Sequence, residues 1–515
     1  MSRFVLLFLS CTLINSCVIN ISPAKNVILV IGDGMGPGQI SLLQQFTKHS
    51  KIYKEPYAFK RISDLGHIGF SDTAPHGKLV VDSACSATQI AIGKHTLNEV
   101  IGLDKHGDPA QTILEKARDR GMLTGLVSDT RLTHATPASF ASHAANRKYE
   151  NEIALEMVQS NANVLFSGGA RHFYPQGTQL KVGDFEVTSR RDDDKNPIQI
   201  AKSNGYQIIH TKNDLNNISG NKVLGLFTNG SFPNSIWFHD KQDDEKRAVP
   251  SLLEMTKSAL GLLDSNNKKG FFLMVEAGQI DWAGHQNDAG TMLHEMVTMN
   301  DTLNYLIDYV QKNPDTLLVV TADHETGSFG LGYHAVDVPA PKKIDGKEFK
   351  DKDYEVKLNY GNVANLDKLF MQKNSFENIV KEFLSLEASM QTADTLMSMV
   401  NEVSHYKISL EDAKRIITPV KNKYFKKDDK YLGKEKWMDM IDYQAYYLNP
   451  INNITALINE AIAHKANIVW GTGGHTSNPV HVYSMGPKYW SEKLSGNLNH
   501  PKLGKLLQKS LGLWE

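Results

Sequence analysis

The sequence predicts an α/β fold, with a central, mostly parallel sheet, helices on both of its faces and an inserted, largely helical subdomain. Aliphatic runs alternate with helical segments from about residue 26 to 330, which is the βαβ pattern of a parallel sheet. Because these runs lack polar alternation, they indicate strands that are buried on both faces. The alternation stops over about 331–464, where Lys, Tyr and helical periodicity prevail, and returns at about 466.

The first βα unit spans residues 26–36, a buried strand that runs into a glycine-rich turn, and a helix is expected from about Gln39. Asp33 is the first polar residue after this strand, at the edge where open α/β sheets bind ligands. The glycines have neither the Walker nor the dinucleotide spacing, so we exclude a nucleotide-binding loop. A second strand is predicted at 66–71, and a helix of small residues begins near Ser83.

The middle of the chain continues the alternation. We predict a helix at 110–120, a strand at 123–128, a loop at 131–138, a helix that starts near Pro137 and carries residues 142–147, and a strand at 163–167. The pattern over 171–250 is weak and polar. We expect loops and short elements there, including 206–210 and 223–227.

Four further elements precede the insertion, and two sheet segments follow it. We predict a helix at 252–263, a strand at 271–276, a long helix at about 290–311 and a strand at 316–324. Inside the insertion, helical periodicity covers 376–386 and 388–403, and the sheet pattern returns at 466–475 and 480–485.

The bulk composition limits the classes of protein. The chain has 515 residues and a formal net charge of −1, whereas a nucleic-acid-binding protein is usually basic, so we expect no nucleic-acid partner. Removal of an N-terminal signal would leave at most Cys17 and Cys85, which do not make a disulfide framework. We interpret Cys85 as a small buried residue rather than a second nucleophile.

The N-terminus predicts export. Residues 1–22 combine a basic start, the apolar run Phe4 to Leu9 and small residues, which is typical of a secretory signal peptide. The apolar run is too short for a membrane anchor, and no other stretch is long and apolar enough for a transmembrane helix. Residues 14–17 resemble a lipoprotein cleavage box, although Asn15 fits it poorly, so lipidation of Cys17 is an alternative to simple secretion. We expect a secreted, periplasmic protein.

A group of acidic and histidine side chains indicates a metal centre. Three aliphatic strands end in the carboxylates Asp33, Glu276 and Asp323, which would share one sheet edge and repel each other unless cations lay between them. Asp281 and His285 are four residues apart, His324 follows Asp323, and His475 follows two glycines. Imidazole with carboxylate suits zinc, whereas carboxylate with hydroxyl suits magnesium. A single such acid would more simply cap a helix.

Ser83 is the candidate nucleophile. At the first turn of a helix, the unpaired N–H groups and the helix dipole would face its hydroxyl and an adjacent phosphate. The competing interpretation is an ordinary helix cap, which Asp and Ser commonly form. The metal ligand set elsewhere in the chain favours the nucleophile.

Six ordered motifs make the chain resemble the alkaline phosphatase family. They are Asp-Gly-Met-Gly (33–36), Asp-Ser-Ala-x-Ser-Ala-Thr (82–88), Ala-Thr-Pro-Ala (135–138), Val-Glu-x-x-x-Ile-Asp (275–281), Thr-Ala-Asp-His (321–324) and Gly-Gly-His-Thr (473–476). The resemblance implies a phosphate monoesterase that works through a phosphoserine on Ser83, with two zinc ions and one magnesium ion. It also implies a catalytic domain of 23–330 and 465–515, a crown-like insertion at 331–464 and a homodimer.

The resemblance assigns a role to each matching residue. Asp281, His285 and His475 correspond to the ligands of the first zinc ion. Asp33, Asp323 and His324, joined by Ser83, correspond to those of the second, and Asp33, Thr136 and Glu276 to those of the third metal. Arg147 corresponds to the arginine that grips two phosphate oxygens.

Two positions depart from the best-known bacterial pattern, which has an acid at the position of His134 and a lysine at that of Trp282. Both side chains are expected beside the metal site, and simple packing is an equal alternative. Without the acid and the lysine, the identity of the third metal is open, and we expect weaker binding of product phosphate.

Two other functions are compatible with parts of the pattern. A phosphodiesterase, sulfatase or phosphomutase could share the fold, but a diesterase usually has Thr as nucleophile and a sulfatase needs a Cys/Ser-x-Pro-x-Arg context. Ser83 is followed by Ala84 and Cys85, so the sulfatase context is absent. The non-enzymatic alternative is a surface protein that uses metals for stability and 331–464 for binding.

Overall fold

A computed structural model describes residues 22–183, 185–430, 432–437, 439 and 449–514. The predicted signal segment, apart from Ser22, and the candidate lipidation site Cys17 lie outside the described residues. Within the described ranges, no helix has the length and apolar character that crossing a membrane requires.

Most strands of the described residues belong to one large sheet. In chain order the strands are β1 (Asn26–Gly32), β2 (His67–Asp72), β3 (Leu123–Arg131), β4 (Val164–Gly168), β5 (Gln179–Val182), β6 (Phe185–Thr188), β7 (Gln207–Ile209), β8 (Val223–Leu226), β9 (Phe271–Ala277), β10 (Thr316–Thr321), β11 (Glu325–Thr326), β12 (Gly330–Leu331), β13 (Val420–Lys421), β14 (Lys436–Trp437), β15 (Ile468–Val469), β16 (His475–Thr476), β17 (Val480–Met485) and β18 (Gly496–Asn499).

The helices flank this sheet and fill the insertion. They are α1 (Pro37–His49), α2 (Ala58–Leu65), α3 (Ser83–Ile92), α4 (Ile113–Asp119), α5 (Ala135–Ala141), α6 (Glu150–Gln159), α7 (Pro197–Ser203), α8 (Ser235–Asp240), α9 (Leu252–Ser265), α10 (Gln279–His285), α11 (Ala289–Lys312), α12 (Ala364–Phe370), α13 (Phe376–Ser385), α14 (Ala393–Val403), α15 (Leu410–Ile417), α16 (Pro450–Ala466), α17 (Lys488–Lys493) and α18 (His500–Ser510).

The predicted mostly parallel sheet is confirmed. Ten strands of the described chain are ordered β18-β2-β17-β10-β1-β9-β3-β4-β8-β7. All neighbouring pairs are parallel except those of β17, which runs antiparallel to β10 and to β2. Strand β1 lies at the centre, with Val30 opposite Val320 on one side and Val275 on the other. The two short segments that we expected at 206–210 and 223–227 form the far edge of this sheet.

Helices on both faces explain the uninterrupted aliphatic runs. Ile28 and Val30 of β1 point into a core shared with α1, α9 and α11, whereas Val27 and Leu29 point into a second core beneath α3, α4 and α18. Successive strand side chains alternate between the two faces, so a strand covered on both sides needs apolar residues at every position.

The insertion contains helices at both predicted segments, here α13 and α14, and the further helices α12 and α15. Phe376, Val380 and Leu396 from these helices are buried in the same apolar cluster as Leu303 of the long helix α11. The helical subdomain therefore packs directly on the helix layer of the sheet. Its limits at 331 and 464 stay a prediction.

Two predicted elements are wrong in detail. Residues 142–147 do not continue the helix that contains Pro137, because α5 ends at Ala141, Ser142 is extended and Ala144 pairs with Ile101 in an isolated bridge. Arg147 therefore lies in a turn. Residues 466–475 do not form a strand of the main sheet, since Ile468–Val469 pairs with Gly330–Leu331 in a separate two-stranded ribbon.

Candidate active site at the carboxyl edge of the sheet

The predicted carboxylates meet at the carboxyl ends of the three central strands. In the parallel register, Ile31 of β1 lies opposite Glu276 of β9 and Thr321 of β10. The side chains of Asp33, Glu276 and Asp323 are fully buried at this edge. The strand order therefore gathers acids that are almost 300 residues apart in the chain.

The first group of candidate ligands is formed by α10 and the short strand β16. The spacing of Asp281 and His285 on one helical turn places His285 Nε2 3.3 Å from Asp281 Oδ2. His475 Nε2 lies 3.6 Å from Asp281 Oδ1 and 3.1 Å from His285 Nε2. The Nδ1 atoms of His285 and His475 contact the carbonyl oxygens of Gly473 and Val81, which leaves both Nε2 atoms facing Asp281.

The second group combines Asp33, Asp323 and His324. His324 Nε2 lies 3.5 Å from Asp33 Oδ1 and 3.1 Å from Asp323 Oδ2. The Ser83 hydroxyl lies 3.1 Å from the same imidazole nitrogen. The rings of His324 and His475 stack with their centroids 3.5 Å apart, so the first and second groups are in direct contact.

The third group of candidate ligands combines Asp33, which it shares with the second group, with His134 and Glu276. Ligand atoms of Asp33, His134 and Glu276 lie within 4.8 Å of one another. Thr136 is the second residue of the helix α5, close to the Glu276 carboxylate, and its buried hydroxyl has no hydrogen-bond partner within the described residues. The Trp282 ring meets the His134 ring edge-on at 5.8 Å between centroids. His134 thus offers a nitrogen to this group, whereas Trp282 packs against His134.

Orphaned polar atoms show that these groups fit cations. Both carboxylate oxygens of Asp33, Glu276 Oε1 and His134 Nδ1 are buried without a hydrogen-bond partner among the described residues. Buried polar atoms are normally paired, and unpaired buried carboxylates are costly. The mixed carboxylate and imidazole donors of the first two groups suit zinc, and the oxygen-rich third group suits a harder ion with one nitrogen ligand.

The pKa values of the three aspartates agree with this conclusion. Burial, followed by repulsion from Asp323 and Asp281, raises the pKa of Asp33 well above its usual value. Burial and Asp281 raise the pKa of Asp323 to about 7. Asp281 behaves oppositely, because His285 and His475 outweigh the effect of burial and lower its pKa. Cations between these groups would remove the repulsion.

Ser83 lines a cavity of about 770 Å³. It is the first residue of α3, which Asp82 caps by accepting hydrogen bonds from the N–H groups of Ala84 and Cys85 at 3.3 and 3.1 Å. Asp82 also accepts a bond of 2.9 Å from Arg147 Nη1, and Arg147 Nη2 lies 3.2 Å from His134 Nε2. Asp82, the cap residue, therefore also orients Arg147, which lies in a turn and not in a helix.

All residues that the sequence indicated for the site lie at this edge. They are Ser83, Arg147, Asp33, Thr136, Glu276, Asp281, His285, Asp323, His324, His475, His134 and Trp282. Sequence reasoning missed Thr326, whose hydroxyl donates to Asp281, and the cavity residues Arg131, Lys148 and Glu150. The one signal in the sequence that could have indicated the role of Thr326 is its position two residues after His324.

The sequence of nearly the whole chain matches one family model. Residues 24–513 match the model described as alkaline phosphatase. The chain belongs to the alkaline phosphatase family. The resemblance that the six motifs predicted is therefore confirmed, as are the fold and the assignment as a phosphatase enzyme.

Relatives and solved structures agree with this membership. The chain is 32% identical to alkaline phosphatase 3 of Bacillus subtilis, over 95% of this chain and 89% of the relative. It is 31% identical to the repressible alkaline phosphatase of Saccharomyces cerevisiae, over 95% of this chain and 81% of the relative. The crystal structure of Thermus thermophilus alkaline phosphatase superposes with a TM-score of 0.75 at 25% identity, covering 96% of this chain and 92% of that one. As a family member, the protein is a metal-dependent phosphoesterase.

Proposed function

We propose that the protein hydrolyses phosphate monoesters by transferring the phosphoryl group first to Ser83 and then to water. The observation that carries this proposal is the position of Ser83, at the start of α3, 3.1 Å from His324 and in one cavity with Arg147. A hydroxyl at a helix N-terminus beside a guanidinium is suited to binding and accepting a phosphoryl group.

We assign the metals by the donors present. Asp281, His285 and His475 would hold one zinc ion, and Asp33, Asp323 and His324, together with the Ser83 oxygen, would hold another. Asp33, Glu276 and Thr136 would hold the third ion, magnesium, with His134 as an additional donor. Bound cations would lower the pKa of the Ser83 hydroxyl and offset the charge of the phosphate.

The reaction divides into two substitutions at phosphorus. In the first, the Ser83 Oγ–P bond forms, the bond between phosphorus and the ester oxygen breaks, and the released alcohol takes up one proton. In the second, a water oxygen bonds to phosphorus, the Ser83 Oγ–P bond breaks, and Ser83 regains its proton as inorganic phosphate leaves. Arg147, held by Asp82, would bind two phosphate oxygens with its planar guanidinium throughout.

Two experiments on esters test this proposal. The zinc- and magnesium-loaded protein should hydrolyse 4-nitrophenyl phosphate much faster than the matching phosphodiester and sulfate ester, and chelation should abolish the reaction. Ser83→Ala should lose activity, whereas Cys85→Ala, a change to a buried side chain of the same helix, should retain it. A preference for the diester or the sulfate would disprove the monoesterase assignment.

A binding protein without catalysis is the remaining alternative. The presence of a nucleophile, an arginine and the first ligand group in one cavity, with the acids of the other two groups buried nearby, favours the enzyme. If the metal-loaded protein turned over none of the esters, the helices of residues 331–464 would become the candidate binding surface.

We further propose that the protein is exported by its N-terminal segment and forms a homodimer. The basic and apolar residues of 1–22 support export, with Cys17 as a candidate lipid anchor. Cell fractionation with Cys17→Ala would separate free from anchored protein. Light scattering would disprove the dimer if it gave the mass of one chain.

A further inference from the structure

Glu99 lines the cavity of Ser83 and Arg147 in a backbone conformation that is uncommon for its residue type. Its φ angle of 70° lies in the left-handed region, which residues with a Cβ atom adopt only at an energetic cost. The side chain is exposed, and its carboxylate forms no hydrogen bond or ion pair with the described residues. Such strained residues concentrate at functional sites, where the surrounding structure holds them in place. The contacts that hold Glu99 come from its backbone.

The two backbone groups of Glu99 bind the two partners of one ion pair. Its N–H donates to Asp82 Oδ1 at 2.9 Å, and its carbonyl oxygen accepts from the Arg147 N–H at 2.7 Å. Arg147 Nη1 closes the ring by donating to Asp82 Oδ2 at 2.9 Å. Because the φ rotation lies between the N–H and the carbonyl of a residue, the positive φ of Glu99 sets the directions of both groups at once.

The hydrogen bond from Glu99 also fixes the rotation of the Asp82 carboxylate. Oδ1 accepts from the N–H groups of Cys85 and Glu99, which occupies the two acceptor positions of this oxygen. Oδ2 is left to accept from the Ala84 N–H and from the guanidinium of Arg147. Glu99 thus determines which carboxylate oxygen faces Arg147.

The residues after Glu99 join the same two parts of the chain. Ile101 and Ala144 exchange two backbone hydrogen bonds of 2.9 Å, and the Gly102 N–H donates to Thr88 Oγ1 at 3.0 Å. Residues 99–102 therefore connect the helix α3, which begins at Ser83, to the segment that leads to Arg147. Within these four residues, Glu99 is the one that contacts both members of the ion pair.

On the basis of the proposed function, we propose that Glu99 is a positioning residue for phosphate binding. Its left-handed backbone, and not its carboxylate, holds Asp82 and Arg147 in the orientation in which the guanidinium meets the phosphate. Glycine adopts a positive φ freely and asparagine tolerates it, whereas a β-branched residue does so very rarely. Phosphate affinity should therefore follow the backbone preference of the residue at position 99.

The test compares Glu99→Gly, Glu99→Asn and Glu99→Val, which all lack the charge and differ in backbone preference. Calorimetry measures the binding of inorganic phosphate to the zinc- and magnesium-loaded proteins. The dissociation constant of Glu99→Val should be about 10-fold higher than those of the other two variants, the effect of one hydrogen bond to a charged group. In an Arg147→Ala background, the three variants should bind phosphate equally.

Three results would overturn the proposal. They are equal dissociation constants in the three variants, a difference that persists without Arg147, and a Glu99→Val protein that loses thermal stability but not phosphate affinity. If Glu99→Val did not fold, Glu99→Ala would replace it, because alanine also disfavours a positive φ relative to glycine.

A matched variant separates positioning from general backbone strain. Asn161, an exposed residue between α6 and β4, has a φ of 58°. Asn161→Val should lower the thermal midpoint while leaving the dissociation constant of phosphate unchanged. Phosphate binding needs no turnover, so the outcome is distinct from that of the proposed function. If the wild type hydrolysed no ester, the proposed function would fail, whereas weaker binding by Glu99→Val than by Glu99→Asn would still support the role of Glu99.

Discussion

The hydroxyl of Thr326 donates a hydrogen bond of 2.5 Å to Oδ1 of Asp281, from a strand that begins just after His324. The same hydroxyl lies 3.3 Å from His324 Nδ1. Thr326 therefore contacts one candidate ligand from each of the first two groups. It thereby links two groups whose ligands come from different segments of the chain.

Thr326→Val should weaken metal binding while preserving the fold. The substitution keeps the shape but removes the donor to Asp281, and loss of such a supporting partner typically costs about 10- to 100-fold in metal affinity. Competition with a chromogenic zinc chelator measures this change. Thr455→Val, which removes a hydroxyl bonded to Ile451 within α16, is the control and should bind zinc normally. Equal zinc affinities in the two variants would contradict the role of Thr326.

Removal of the metals should destabilise the protein. Asp33, Asp281 and Asp323 are buried close together, and each bound cation stabilises the folded state by about 2.7 kcal/mol when it is present at 100 times its dissociation constant. Urea unfolding with and without chelator measures the difference. The difference should shrink in Asp33→Asn, which removes one of the repelling charges, and persist in the exposed variant Asp64→Asn. Identical unfolding curves with and without chelator would argue against a metal centre.

Asp82→Ala should affect both stability and phosphate binding. Loss of the α3 cap should cost about 1 kcal/mol of unfolding free energy. Release of Arg147 should raise the inhibition constant of inorganic phosphate about 10-fold, the effect of one charged hydrogen bond. In an Arg147→Ala background, Asp82→Ala should retain only the effect on stability. Thr112→Ala removes the cap of α4 and should lower stability without changing phosphate inhibition.

Glu254 should make the free energy of unfolding depend on pH in the acid range. Arg247 and Lys212 outweigh the effect of burial and, with the Ser251 N–H, lower the pKa of Glu254 from 4.5 to about 2. Because the folded-state pKa is the lower one, the stabilisation is complete above about pH 4.5 and is lost as the pH falls towards 2. Glu254→Gln should therefore be less stable than wild type at pH 6, and the gap in unfolding free energy should narrow towards pH 3.

A matched variant controls for the general effect of acid. Glu377→Gln breaks the exposed pair with Lys381, and such pairs contribute about 0–1 kcal/mol. Its stability should follow that of wild type at each pH. A constant gap between Glu254→Gln and wild type from pH 6 to 3 would contradict the lowered pKa of Glu254.

The sequence alone determined the central strands, the candidate metal ligands and the family. The run from Asn26 to Gly32 could only be a strand buried on both faces, and Asp33 had to follow it at the ligand-binding edge. The pair Asp281 and His285 converges because both lie on one helical turn. These features depend on local periodicity and short spacings, which the order of residues specifies directly.

Only the tertiary structure decided which distant segments meet. Arg147 reaches the cavity from a turn because Asp82, 65 residues earlier, holds its guanidinium, and no local pattern encodes that contact. Thr326 acquires its role only from its hydrogen bond to Asp281, 45 residues earlier in the chain. Such contacts depend on strand order and loop paths, which packing of the whole chain selects.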